Sequence, residues 1–249
     1  MRYARCKLVG CPVALLSVLL ASPLLEASIL EPHAVVEGKA IGDWAGDWWN
    51  WALFESEATN PLTDMTGEDA GRNQFGPVFF MGGLFGGSAV RTFDVPRDKY
   101  LLVPLVNALS WPAFADTLEG IRNDARATAD PIDSLFFKMD GVEVPETDLF
   151  NHREESSDFF TFVLPPGNIL GMDPGVFPAS AWSDGYWLML EPLGDSGAHT
   201  IEYGGGISAW DFSVSVKVQL IPEPSPLSMA LAGFVGVGLW RGLPRRRRG

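Results

Sequence analysis

FSVSVKVQL, residues 212–220, alternates without a break: Phe212, Val214, Val216, Val218 and Leu220 are apolar, and the residues between them are polar. Side chains on a strand point to opposite faces in turn, so this stretch predicts a strand with one face in a core and one in water. Working outward, SLFFKMDGVEV (residues 134–144) places Asp140-Gly141 between apolar runs, the pattern of a hairpin closed by a type I′ turn. Further short runs at 76–84, 90–95, 100–105, 159–164, 186–190 and 199–203 are rich in aromatic and branched residues and bounded by Gly, Pro, Asn or Asp. Many strands spaced by turn signals, with no internal repeat, predict a mainly β chain folded as a β-sandwich or jelly-roll-like domain.

Two helices are expected against it. GDWAGDWWNWALFESE (residues 42–57) puts Trp44, Trp48 and Trp51 on one stripe, with Asp43 placed to cap the first turn. Residues 117–129 form a second, more polar helix ended by Pro131. A tryptophan stripe at helical spacing reads as a core face, leaving Trp49, off the stripe, as the ring expected at the surface. Indole faces also stack on sugar rings, so Trp49, Trp111 and Trp182 are the candidate carbohydrate-binding residues.

The two ends of the chain read as addresses. Arg2, Arg5 and Lys7 precede an apolar run from Leu8 to Leu20 and then small residues, the layout of a signal peptide over 1–27 with Ala27 as its last residue. Leu8-Val9-Gly10-Cys11 does not make a lipoprotein site, because the apolar segment follows the cysteine. At the other end come Pro222-Glu223-Pro224, an apolar stretch over 227–243 and the block Arg245-Arg246-Arg247-Arg248. Proline fixes φ and removes donors, so residues 221–225 are expected to form an accessible, non-helical linker. The 17 residues of 227–243 meet the lower limit of about 17 for a spanning helix, and terminal arginines hold that end in the cytoplasm. This tripartite tail, residues 222–249, resembles the PEP-CTERM sorting signal of exopolysaccharide-producing Gram-negative bacteria. The resemblance implies export by the general secretion machinery, transient anchoring, and processing by an exosortase near Pro-Glu-Pro.

Between these signals lies one domain, residues 28–221. Both cysteines, Cys6 and Cys11, fall in the signal peptide, so disulfides and thiol chemistry are excluded from the mature domain. Residues 1–27 hold three basic and one acidic residue and residues 223–249 hold five and one. That leaves ten basic against 29 acidic residues between them, a net charge of −19. Such a surface repels nucleic acid and anionic lipid and attracts divalent cations or cationic polymers.

The domain also resembles a group of secreted bacterial proteins of unknown activity. The likeness rests on the tryptophan helix, Asn60-Pro61, Asp64, Thr66-Gly67, residues 76–80, Arg91, Val95-Pro96 and residues 104–107. Asp184-Gly185-Tyr186-Trp187, Pro192-Leu193 and residues 197–201 continue it. The resemblance implies a cysteine pair near positions 70 and 93; Ala70 and Phe93 stand there, so packing of Phe93 is expected in place of a bridge.

No residue is singled out as catalytic. There is no Gly-x-Ser-x-Gly elbow, His-Glu-x-x-His helix or phosphate-binding glycine loop. His33 is expected in an unstructured N-terminal segment, His152 with Arg153, Glu154 and Glu155 in a solvated polar loop, and His199 at a strand start. Asp64, Glu68 and Asp69 surround a glycine turn and are the candidate calcium ligands, although the spacing is not that of an EF-hand. Three readings follow. The first is a non-catalytic cell-surface or exopolysaccharide-matrix protein, the second a carbohydrate- or calcium-binding module, the third a secreted hydrolase whose site the sequence does not locate.

Overall fold

The computed structural model describes residues 28–194 and 197–223. The signal segment with Ala27, together with Pro224, the apolar span 227–243 and the arginine block Arg245 to Arg248, lies outside the described residues. The chain opens with a ribbon, β1 (Val35–Val36) and β2 (Lys39–Ala40), followed by helix α1 (Ile41–Phe54). Strands β3 (Val78–Phe80), β4 (Gly87–Val95) and β5 (Tyr100–Ser110), helix α2 (Leu118–Ala129), strands β6 (Ser134–Met139) and β7 (Val142–Glu143), and helix α3 (Glu146–Leu149) come next. Strands β8 (Arg153–Glu155), β9 (Phe160–Leu164), β10 (Gly175–Leu190), β11 (His199–Ile207) and β12 (Phe212–Pro222) complete the series. The described residues are thus mainly β, with three sheets and three helices.

One five-stranded sheet runs β4-β12-β11-β6-β7; the other runs β3-β5-β10-β8, with β9 also paired to β10. The β3–β5 and β4–β12 pairs are parallel and the rest antiparallel. The sheets enclose a shared apolar core. Leu101, Val103 and Leu105 of β5 and Leu188 and Leu190 of β10 meet Val214, Val216, Val218 and Leu220 of β12. This is sandwich packing, and it explains the sequence of β12: its inward residues are buried and Ser213, Ser215, Lys217 and Gln219 are exposed. The hairpin also forms as read, with Asp140 and Gly141 both at positive φ (50° and 86°), as a type I′ turn requires.

Strands β5 and β10 carry near-continuous apolar runs because they are covered twice, by the facing sheet and by α1. Ten of the 14 residues of α1 are buried. Small residues let it approach the second sheet: a Cβ on Gly42 would stand 2.0 Å from the Glu155 carbonyl oxygen, and one on Gly46 would meet the Phe160 ring at 2.9 Å. The expected Asp43 cap does not form, because Ala40 is the cap residue and Asp43 instead accepts from the Ser157 N–H and Oγ–H. At the other end Asn60 donates Nδ2–H to the Ala52 and Glu55 carbonyls, closing the orphan acceptors of the last turn. In α2 the Thr117 side chain accepts from Gly120 N–H as the N-cap.

Phe93 stacks on Phe79 (5.9 Å, 19°) in the same apolar cluster as Ala70, so packing joins the region where the resemblance implies a bridge. Arg91, 2% exposed, donates to the carbonyls of Asp64, Pro61, Gly82 and Gly83. Its charge is satisfied entirely by backbone dipoles, and it ties both loops flanking β3 to β4. Tyr203 donates to the same Gly82 carbonyl at 2.9 Å, and burial pushes its phenol up to about 12.

Candidate functional site

Two hollows flank helix α1. The first is an apolar cavity of about 380 Å³ near the C-terminal half of the helix. Its origin is topological. Strand β3 pairs with β5 only as far as Leu102, so beyond that point the outer edge of β5 has no neighbouring strand among the described residues. The bend Gly82-Gly83-Leu84-Phe85 cannot fill the gap, and the cavity opens between it, Pro104 to Leu109 of β5, and Trp48, Trp49 and Leu53 of α1. Phe85, Phe114 and Trp210 line it and are each more than half exposed, forming an aromatic mouth.

No charged side chain among the described residues lines this cavity. Its polar lining is Asn107, Thr128 and the indole N–H groups. Trp48 Nε1 is spent on the Met81 carbonyl (2.7 Å) and Trp49 Nε1 on Ser183 Oγ (3.1 Å). Trp111, 7% exposed, has no hydrogen-bond partner for Nε1 among the described residues.

The second hollow, about 530 Å³, lies at the N-terminal end of α1 and is lined by Arg126, Asp130, Arg153, Glu154, Glu155 and Asp184 beside His33, Ala40 and Gly42. Arg153 forks onto Asp184 (2.9 and 2.7 Å) and reaches Asp130 at 2.8 Å. The Asp184 carboxylate, 1% exposed, holds the guanidinium well above its ordinary value. Arg126 is bidentate on Glu155 (2.6 and 3.0 Å), which also accepts from Trp182 Nε1 at 2.7 Å. His33 caps buried Glu154 twice, through its backbone N–H (2.7 Å) and through Nδ1 (3.1 Å). Every charge that lines this hollow is therefore joined to an opposite partner or a donor.

The sequence-derived candidates separate accordingly. Trp49 is not at the surface: it is 7% exposed and packs edge-on against Trp48 (5.0 Å, 88°), because α1 is enclosed on nearly every side. Trp111 is equally buried, and both line the apolar cavity. Trp182 lies elsewhere, under Arg122 (4.4 Å from the ring centroid) and beside Phe159 (4.7 Å). All three rings are buried, so none stands on the open surface.

Asp64 organises its own loop, accepting from Thr66 N–H, Gly67 N–H, Asp69 N–H and Thr66 Oγ–H. Burial alone would raise its pKa, but the backbone donors of Gly67, Thr66 and Asp69 outweigh that and hold the carboxyl below the ordinary aspartate value. Asp69 takes Arg72, and Glu68 is exposed. No group of three or more potential metal ligands occurs among the described residues.

Two of the histidines depart from expectation, whereas His199 starts β11 as expected. His33 is held on Glu154. His152 is buried, its Nδ1 without a partner among the described residues, and burial holds its imidazole below the ordinary value. The chain at this point pairs β8 with β10, which the polar sequence disguised. His199 Nδ1 sits 2.6 Å from Asp140 of the hairpin turn, whose other oxygen accepts from Thr200 N–H, so it fastens one strand end to another.

At the tail junction residues 221–223 do not form the accessible linker expected of them. Ile221 and Pro222 belong to β12, opposite Asp94 and Val95 of β4. Glu223 N–H donates to the Val95 carbonyl at 3.0 Å, and Arg97 donates to the Glu223 carbonyl. No helix among the described residues is long and apolar enough to cross a membrane. Comparison with protein-family models, curated proteins and solved structures found no match for this chain.

Proposed function

We propose that this chain is an exported, non-catalytic β-sandwich protein of the cell surface or exopolysaccharide matrix, delivered by a signal peptide over 1–27 and a PEP-CTERM tail over 222–249. The observation that carries the reading is the order of the tail: Pro222-Glu223-Pro224, an apolar run uncharged from Leu227 to Trp240, then Arg241 and the four consecutive arginines Arg245 to Arg248. The partners are then the general secretion machinery and an exosortase, with extracellular polysaccharide as the surrounding matrix. A non-catalytic role is favoured because His33, His199, Asp184, Glu154 and Glu155 are each engaged in holding strands and helices together.

Mass spectrometry of the surface-located protein tests the routing. Peptides ending near Pro222 to Ser225, with none containing Phe234 or Arg245, are expected. Surface protein that retains Phe234 and Arg245 makes the tail a permanent anchor and sinks the processing claim.

A further inference from the structure

We propose that the apolar cavity beside β5 is a binding site for an uncharged, largely apolar carbonyl compound of about fifteen non-hydrogen atoms. The size follows from the volume: about 380 Å³ is some two and a half times the ~150 Å³ cavity that holds benzene. The exclusion of charge follows from the lining, where Trp48, Trp49, Leu53, Leu105 and Leu109 present carbon and no cation stands ready to neutralise a carboxylate or phosphate. The carbonyl follows from Trp111. An indole N–H is a donor only, and this one, on a residue that lines the cavity, is buried with no partner among the described residues, so a ligand reaches it on a small turn of the ring. A ligand oxygen would then satisfy it, and the Asn107 amide, four residues back along β5 (about 13 Å), is a second polar group on the lining. Mostly apolar walls with a few convergent polar groups are the usual make-up of a small-molecule site. Phe85, Phe114 and Trp210 at the mouth give such a molecule an entry lined by aromatic rings.

Benzophenone is a suitable probe, being neutral, of the required size and photoreactive at its carbonyl carbon. On irradiation the excited ketone abstracts hydrogen from a neighbouring C–H and the two carbon radicals join, so no further reagent is required. Photolabelling of the full chain, mapped by peptide mass spectrometry, is expected to saturate and to concentrate on residues 104–114 and 207–214. Phenyl benzoate in the dark phase should compete at least ~10-fold better than diphenylmethane, which has the shape without the oxygen, and 4-benzoylbenzoate should label at least ~10-fold less than benzophenone. Thr128→Trp, a half-buried helix position that would fill the cavity, should cut labelling at least ~10-fold at an unchanged melting temperature. Trp111→Phe should abolish the preference for phenyl benzoate over diphenylmethane while labelling persists. Unsaturable labelling spread along the chain, or labelling indifferent to Thr128→Trp in a folded variant, overturns the site. A preference for the ester that survives Trp111→Phe overturns the role given to the indole N–H.

Discussion

Helix α1 has a hollow toward each end, and the two are opposites. At its N-terminal end Arg126, Arg153, Glu154, Glu155 and Asp184 are all spoken for, each carboxylate matched to a guanidinium, an indole N–H or His33. At its C-terminal half the walls are carbon, and the Trp111 donor has nothing to bind. The charged hollow holds stability and little capacity for a ligand; the apolar one holds capacity and little stability. Charge in a cleft is therefore a poor guide to a binding site here, because the charges are already neutralised by one another.

The comparison is broken most severely at Asp184. Asp184→Ala leaves Arg153, about a third exposed, beside an empty buried site, and the expected loss is about 3 kcal/mol in urea denaturation, the low end for a half-broken buried pair. Replacing both partners, with Asp184→Leu and Arg153→Met together, should restore most of that loss. If the double variant is as unstable as Asp184→Ala alone, the cleft is not held by this pair.

A smaller effect separates two tryptophans of the apolar cavity. Trp48→Phe removes the donor to the Met81 carbonyl and leaves that buried oxygen unpaired, for an expected cost of about 1–3 kcal/mol. Trp111→Phe removes an N–H that has no partner to lose, so it should be close to neutral, within about 0.5 kcal/mol apart from the lost ring area. Equal losses in the two variants would mean that Trp111 Nε1 is satisfied in solution and the asymmetry of the cavity is not real.

How much of this was readable in the sequence depends on whether the signal is local. The alternation of β12 and the Asp140-Gly141 turn each depend on a few adjacent residues, and each forms as read. Strand β10 was expected from Tyr186 and begins at Gly175, because Pro178 and a positive φ at Ala179 interrupt its pattern and shift its register between Phe177 and Ala181. Strand β11 runs past Tyr203 through three glycines that carry no periodicity at all. The Trp49 error has the same root. Periodicity found one stripe on α1, whereas Gly42, Ala45, Gly46 and Ala52 among and beside the tryptophans were the sign of a helix buried on several sides. Neither hollow was legible, since each gathers residues from distant segments: the cavity needs β3 to stop at Phe80, and the cleft needs β8 to pair with β10.

The smallest expected effect, and the one that tests the contrast without touching either hollow, is on pH. His152 immediately precedes β8 and its carbonyl accepts from Trp187 N–H of β10, with Glu154, Glu31, His33 and Asp148 as the titratable groups around it; burial nevertheless keeps its imidazole neutral to lower pH than in the unfolded chain. Its folded pKa is depressed, so the unfolded state takes up the proton first, and stability present above about pH 6.5 is lost as pH falls toward the folded pKa. The midpoint of urea denaturation should drop between pH 7 and 5, and His152→Asn should flatten that slope. Benzophenone labelling of the cavity should be flat over the same range, because no titratable side chain lines it. A labelling yield that follows the His152 titration would show that the two ends of α1 are coupled, and the separation of a stabilising end from a binding end would then fail.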